Sequence, residues 1–277
     1  MNPTRFRLLA GALLALFFAA FVTATGAQSG PSREERTARL AKAEAMFQER
    51  CKTAGEKIHR TVDNVEGIFL MRLRPKEMNR DNQFAMDDPY GRDLDGDGYI
   101  ETFVRGSYEL MRPKDPRPGW PSRLGYRYVE AIDPKDGKRY RYTGRIDQPS
   151  LRDKRYGEWV REFVLDKALG TGAPLRYGVT YDDISTREDR EYWIAGSSLR
   201  VIDLKTNDII AERVGYMMDR GQGKDSGGRS PWLMAADHAC PDFHRFPNPI
   251  VVVPGASAQP RQAQDFVEKV LKPILEK

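Results

Sequence analysis

This chain is poor in the residues that most often carry chemistry. Its 277 residues include only three histidines and two cysteines. No C-x-x-C-H segment attaches haem, no G-x-S-x-G elbow presents a nucleophile, and no G-x-x-x-x-G-K run cradles a phosphate. Basic residues do not cluster. The 45 Lys and Arg are interspersed with 40 Asp and Glu, which excludes the basic stripe of a nucleic-acid-binding surface. There is no internal repeat and no obvious linker. Aromatics are not scarce: 12 Tyr, 12 Phe and 4 Trp give more apolar bulk than a disordered chain holds.

The N-terminus differs from the rest. Arg5 and Arg7 precede the apolar run Leu8 to Val22, and the small residues Thr23 to Ala27 follow it. A basic end, a hydrophobic middle and a small-residue exit describe a secretory signal peptide, cut after Ala24 or Ala27. Extended to Ala27, the same run is long enough to serve as an uncleaved membrane anchor. On either reading residues 1–27 are a signal peptide or transmembrane anchor and the body, 28–277, is exported. The body is expected in the periplasm, free or held at the inner membrane, touching lipid only through its N-terminal segment. Setting Arg5 and Arg7 aside leaves 43 basic against 40 acidic residues, an interspersed and solvated surface.

Cys51 and Cys240 both lie in the exported part. In an oxidising compartment two such thiols form one bridge; the alternative is two buried free thiols. Ser32 to Ala54 has the signals of a helix, with a Ser32–Glu35 capping box and Gly55 as its stop. Leu40, Ala43, Phe47, Cys51 and Ala54 fall on one face, so Cys51 points inward. Val65 to Leu73 reads as a buried strand. Asn79 to Gly98 reads as a polar loop, with a strand from Tyr99 to Arg105 leaving it. The four prolines between Arg112 and Ser122 rule out regular structure there. Trp159 to Leu165 fits helix or strand. A second capping spacing, Ser185 to Glu188, predicts a helical turn. Gly221 to Gly228 reads as a flexible loop, and Gln262 to Leu275 as an amphipathic helix.

Two hairpins stand out. Tyr126 to Asp133 and Lys138 to Ile146 flank the turn Pro134 to Gly137, and Tyr192 to Asp203 and Ile209 to Met218 flank Lys205 to Asp208. The predicted fold is one α+β domain: a mainly antiparallel sheet built from hairpins, with an N-terminal and a C-terminal helix packed on it. The strings YVEAIDPKDGKRYRYTGRI and RYGVTYDDISTREDREYWIAGSSLRVIDL resemble segments of a family of uncharacterised exported bacterial proteins. The resemblance covers most of the chain after the leader. It implies a shared fold and compartment, and no activity.

Four segments are candidates for a site. In GRDLDGDGYIETF, Asp93, Asp95 and Asp97 occupy positions 1, 3 and 5 of a calcium loop, Gly98 the turn and Tyr99 the carbonyl position. Position 12, which needs a bidentate Glu, is Val104; a remote carboxylate such as Asp87 or Asp88 would have to replace it. The competing reading is an Asp/Gly turn bonding its own backbone. Calcium is the cofactor this loop would hold. Asp225, Ser226 and His238 echo a serine protease, in the wrong order for that fold. His238, Cys240, Asp242 and His244 lie close enough in sequence to suggest zinc or copper. Tyr126, Tyr128, Tyr140 and Tyr142, flanked by Arg127, Arg139 and Arg141, would make an aromatic binding face or one core face of a sheet. The expected function is a non-enzymatic binding or structural role in the cell envelope, with an unidentified envelope protein or small ligand as partner. The alternatives are an exported calcium or transition-metal protein and an exported hydrolase.

Overall fold

A computed structural model describes residues 30–75, 83–91, 96–104, 125–160, 162–248 and 251–274. The chain divides into two compact units, Met1–Arg39 and Leu40–Lys277, with the boundary inside the first helix. In the first unit the Ser32 hydroxyl accepts from the Glu35 N–H at 3.1 Å and the Glu35 carboxylate from the Ser32 N–H at 2.6 Å. This is the expected capping box, and it starts α1 (Arg33–Cys51).

The second unit is mixed α/β, built on a mostly antiparallel nine-stranded sheet. Its strands are β1 (Gly55–Ile58), β3 (Gly67–Leu70), β4 (Tyr128–Ile132), β5 (Arg139–Asp147), β6 (Glu162–Leu169), β7 (Tyr177–Asp183), β8 (Ile194–Asp203), β9 (Asp208–Met218) and β10 (Ala239–Cys240). The order is β1-β9-β8-β7-β3-β4-β5-β6, with β10 also on β9. Only β3 runs parallel to its neighbours, β4 and β7. Two small pairs accompany it. β2 (Val62–Val65) runs parallel to β13 (Leu271–Pro273), and β11 (His244–Asn248) antiparallel to β12 (Val251–Pro254).

Side chains alternate between the two faces of a sheet, so the register sorts them. The inner face carries Ile68, Leu70, Val129, Ala131, Val179, Tyr181, Leu199 and Val201, all buried. These residues form one apolar cluster with Tyr99, Ile100, Phe103 and Val104 of α2 (Asp97–Val104). Ala263, Phe266, Val267 and Val270 of α5 (Gln262–Val270), the helix that follows α4 (Pro231–Ala235), join the same cluster. On the outer face, Ile194, Tyr216 and Met218 of β8 and β9 are covered by Ala43 and Phe47 of α1. The β8–β9 hairpin is thus buried on both sides. At Gly215 of this hairpin an added Cβ would run into the Tyr90 phenol, so only glycine fits.

Cys51 at the end of α1 is bridged to Cys240 on β10, with Cα atoms 5.7 Å apart. The bridge joins the outer helix to the strand that pairs with β9.

Several elements differ from the sequence expectation. Tyr99 to Val104 is helical, not a strand. Tyr99, Ile100, Phe103 and Val104 are all buried, a one-sided pattern at helical spacing that a half-exposed strand cannot make. The strand expected over 65–73 is shorter, Gly67–Leu70, and β2 ends just before it. The helical turn near 187 is α3 (Arg187–Glu191), but its cap is Thr186 with Asp189, one residue beyond the expected pair. Asp189 wins because its other oxygen also accepts from Arg50 at 3.1 Å. The C-terminal helix stops at Val270. Pro273 cannot continue a helix, and the chain extends to pair with β2. The glycine-rich loop after β9 is pinned. Asp219, fully buried, accepts from the N–H groups of Gly221 and Gly223 at 2.9 and 2.8 Å and pairs with Arg229.

The turn between β8 and β9 holds a second buried carboxylate, Asp203. The Arg176 guanidinium beside it, aided by Arg60 and opposed by burial, brings its acid constant down to about 2. A folded-state value below the unfolded ~3.9 means stability that is full above about pH 4 and lost as pH falls toward 2. Thermal melts should show the wild type losing stability over that window and Asp203→Asn, already weaker at neutral pH, losing less. Reducing Cys51–Cys240, or replacing both with Ala, should lower unfolding free energy in urea by up to about 5 kcal/mol, the loop-entropy value for so long a closed loop.

Candidate binding surface

The residues nominated from sequence do not converge. Asp93 and Asp95 lie outside the described residues. Asp97 opens α2, and the Tyr99 ring is buried in the inner cluster. The two remote carboxylates that would have to complete a calcium shell are engaged elsewhere. Asp88 is fully buried and accepts from Arg74 at 3.1 Å, Ser197 at 2.9 Å and the Gly91 N–H at 3.0 Å. Burial pushes its acid constant up, against the pull of Arg74. Asp87 accepts from Arg72 at 2.7 Å and Tyr181 at 2.8 Å. These contacts, with Arg190 donating to the carbonyls of Gln83 and Met86, fasten residues 83–91 onto the inner face.

The histidine segment splits in two. His238 sits against Phe47 and lies 3.2 Å from the Glu44 carboxylate, both on α1, and Cys240 is in the disulfide. Asp242 and His244 instead line an open groove of about 460 Å³ together with Asp237, Phe243, Val252 and Pro254. Among the described residues no group of three or more His, Cys, Asp or Glu is placed to hold a metal ion. The His238 ring meets Glu44 rather than Ser226, so the protease echo assembles no hydrogen-bonded set.

The hairpin tyrosines do not share a face. Val129 pairs with Tyr142 and Ala131 with Tyr140, so these two tyrosines point inward. Tyr126, just before β4, is fully buried and donates to the Leu271 carbonyl at 2.5 Å. Tyr128 alone stands on the outer face, under the Arg141 guanidinium at 4.0 Å. Arg141 in turn donates twice to Glu130, at 2.9 and 2.7 Å, and Arg139 approaches the same carboxylate at 3.6 Å. Glu130 is fully buried although it points outward; its two arginines and Tyr128 cover it.

This arrangement defines a surface that the sequence did not reveal. On β3 and β4 the outer face carries Phe69, Tyr128 and Ile132, with Met71 just past the end of β3. Met71 and Ile132 are each 42% exposed, and none of the four belongs to an apolar cluster of the core. The outer-face cluster that α1 joins holds Ile194, Tyr216 and Met218 of β8 and β9 and none of these four side chains. Gly67 and Gly178 keep it low: a Cβ at either would strike Tyr128 or Met71. The result is an apolar strip with Glu130 in its middle, opposite Phe69, bordered by Arg139 and Arg141 of β5 on one side and by the Arg200–Asp182 pair on the other. Such a strip can take up an apolar partner while arginines and carboxylates fix its orientation.

Among the described residues no helix is long and apolar enough to cross a membrane. No protein-family model, curated protein or solved structure matches the chain.

The face assignment makes a direct stability prediction. Met71→Ser and Ile132→Ser should each change unfolding free energy by less than about 0.5 kcal/mol. Ile68→Ala, one residue from Phe69 but on the inner face, should cost about 2–5 kcal/mol in the same urea titration.

Proposed function

We propose that this chain is an exported cell-envelope protein that binds another envelope component through the uncovered outer face of its sheet, and that it is not an enzyme. The observation that carries the reading is the strip of exposed Met71 and Ile132 with half-buried Phe69 and Tyr128, on a sheet whose remaining apolar side chains are largely buried. A row of this kind costs free energy in water unless something covers it. The compartment follows from the basic and apolar leader together with the Cys51–Cys240 bridge, which persists in a non-reducing space. The body sits in the periplasm or is held at the outer face of the inner membrane. It shares fold and compartment with the exported family its hairpins resemble.

Two measurements test the reading. Alkylation of protein from its native source should label neither cysteine until a reductant is added; labelling of both without reductant ends the export argument. A photo-crosslinking residue at position 132 should give a discrete adduct in intact cells, absent when Met71 is also Ser. The same residue at position 135, on the exposed hairpin turn, should give none. Equal adducts from the two positions would remove the outer face as the binding site.

A further inference from the structure

We propose that the β5–β6 loop, residues 151–159, docks on an anionic lipid surface. The loop carries three of the protein's exposed large apolar side chains: Leu151 at 74%, Tyr156 at 46% and Trp159 at 84%. They stand on a pinned backbone. The Gln148 amide donates to the Glu158 carbonyl at 2.9 Å and to Ser150 at 3.2 Å, closing the loop at its base. The Val160 N–H returns to Gly157 at 3.0 Å. The Trp159 ring lies over Gly157, where any Cβ would strike the indole.

Between the apolar groups stand Arg152, Lys154 and Arg155, all exposed. Their acidic partners are drawn inward. The Arg152 side chain is 64% exposed against 12% for Asp147, and Arg155 is 89% exposed against 31% for Asp153. Glu158 is exposed as well, so the exposed charges of the loop are three basic and one acidic. Solvent-exposed ion pairs contribute little, so exchanging a carboxylate for a lipid phosphate costs little. Indole and phenol rings with a polar edge, beside Lys and Arg, match the chemistry of the bilayer interface, where the rings sit at headgroup depth and the cations meet phosphate. The whole chain, at +5, carries the complementary sign. The N-terminal segment would then not be the only part of this chain to touch lipid. The inference concerns a surface separate from the outer-face strip and holds whichever compartment the protein occupies.

The test uses the full-length chain with vesicles of brominated phosphatidylcholine, with and without brominated phosphatidylglycerol. The emission of Trp159 is read as the difference between wild type and Trp159→Phe, so adhesion through the N-terminal segment does not contribute. Trp159 emission should be quenched in the anionic vesicles. Most of that quenching should disappear at high salt, or when Arg152, Lys154 and Arg155 are all changed to Gln. Absence of quenching in both vesicle types, or equal quenching in both, overturns the proposal. So does a Trp159-dependent dimer in sedimentation without lipid, which would make a second copy the occupant. Because the three basic residues and Trp159 are exposed, these variants should melt as the wild type does.

Discussion

The fold depends on keeping the β8–β9 hairpin dry on both sides. Its ten- and eleven-residue strands lie between β7 and β1 and carry buried side chains at most positions. A sheet edge or face can be left to water, but a doubly buried pair cannot be stable with only one layer against it. The inner layer comes from α2, α5 and the fastened segment 83–91. The outer layer comes from α1, whose second half presents only Ala43 and Phe47 as fully buried groups. So small an apolar contact is a weak hold for a helix, and the covalent link at Cys51 makes up for it. The bridge anchors the helix at β10, on the side of β9 away from β8, and the apolar contacts of α1 reach across β9 to β8.

The long, locally determined elements were legible in the sequence. Both hairpins announce themselves by alternation around a turn, the Ser32–Glu35 box by its spacing, and the bridge by the scarcity of cysteine. Elements decided by competition between neighbours were not. At Tyr99 an apparent alternation of Tyr, Glu and Phe hid a helical face completed by Ile100 and Val104. At residue 186 two capping pairs overlapped by one residue, and a distant arginine, Arg50, selected between them. Pro273 was a readable stop that the amphipathic pattern before it overrode.

The outer-face strip was less legible still, for a topological reason. Phe69 and Met71, on and just past β3, are separated from Tyr128 and Ile132 of β4 by more than fifty residues of sequence. Alternation tells which residues of one strand share a side, but not which side of which neighbour they join. That requires knowing that β3 inserts in parallel between β4 and β7, a pairing with no local turn to signal it. The same gap explains the hairpin tyrosines. They looked like one aromatic face because they cluster in sequence, and the register divides them. Buried ionic clusters such as Asp88 with Arg74 and Ser197 arise from segments far apart in the chain and leave no sequence trace.

The bridge between Cys51 and Cys240 has a mechanical consequence. It turns everything from 51 to 240 into a closed covalent loop, with only the two terminal stretches outside it. Tension applied at the N-terminus, as a tether to a membrane would apply it, enters the body at Cys51 and crosses directly to Cys240. The strands from β1 to β9 lie off that load line. Pulling on the two ends can strip α1 or the C-terminal elements but cannot unzip the main sheet while the sulfurs remain joined.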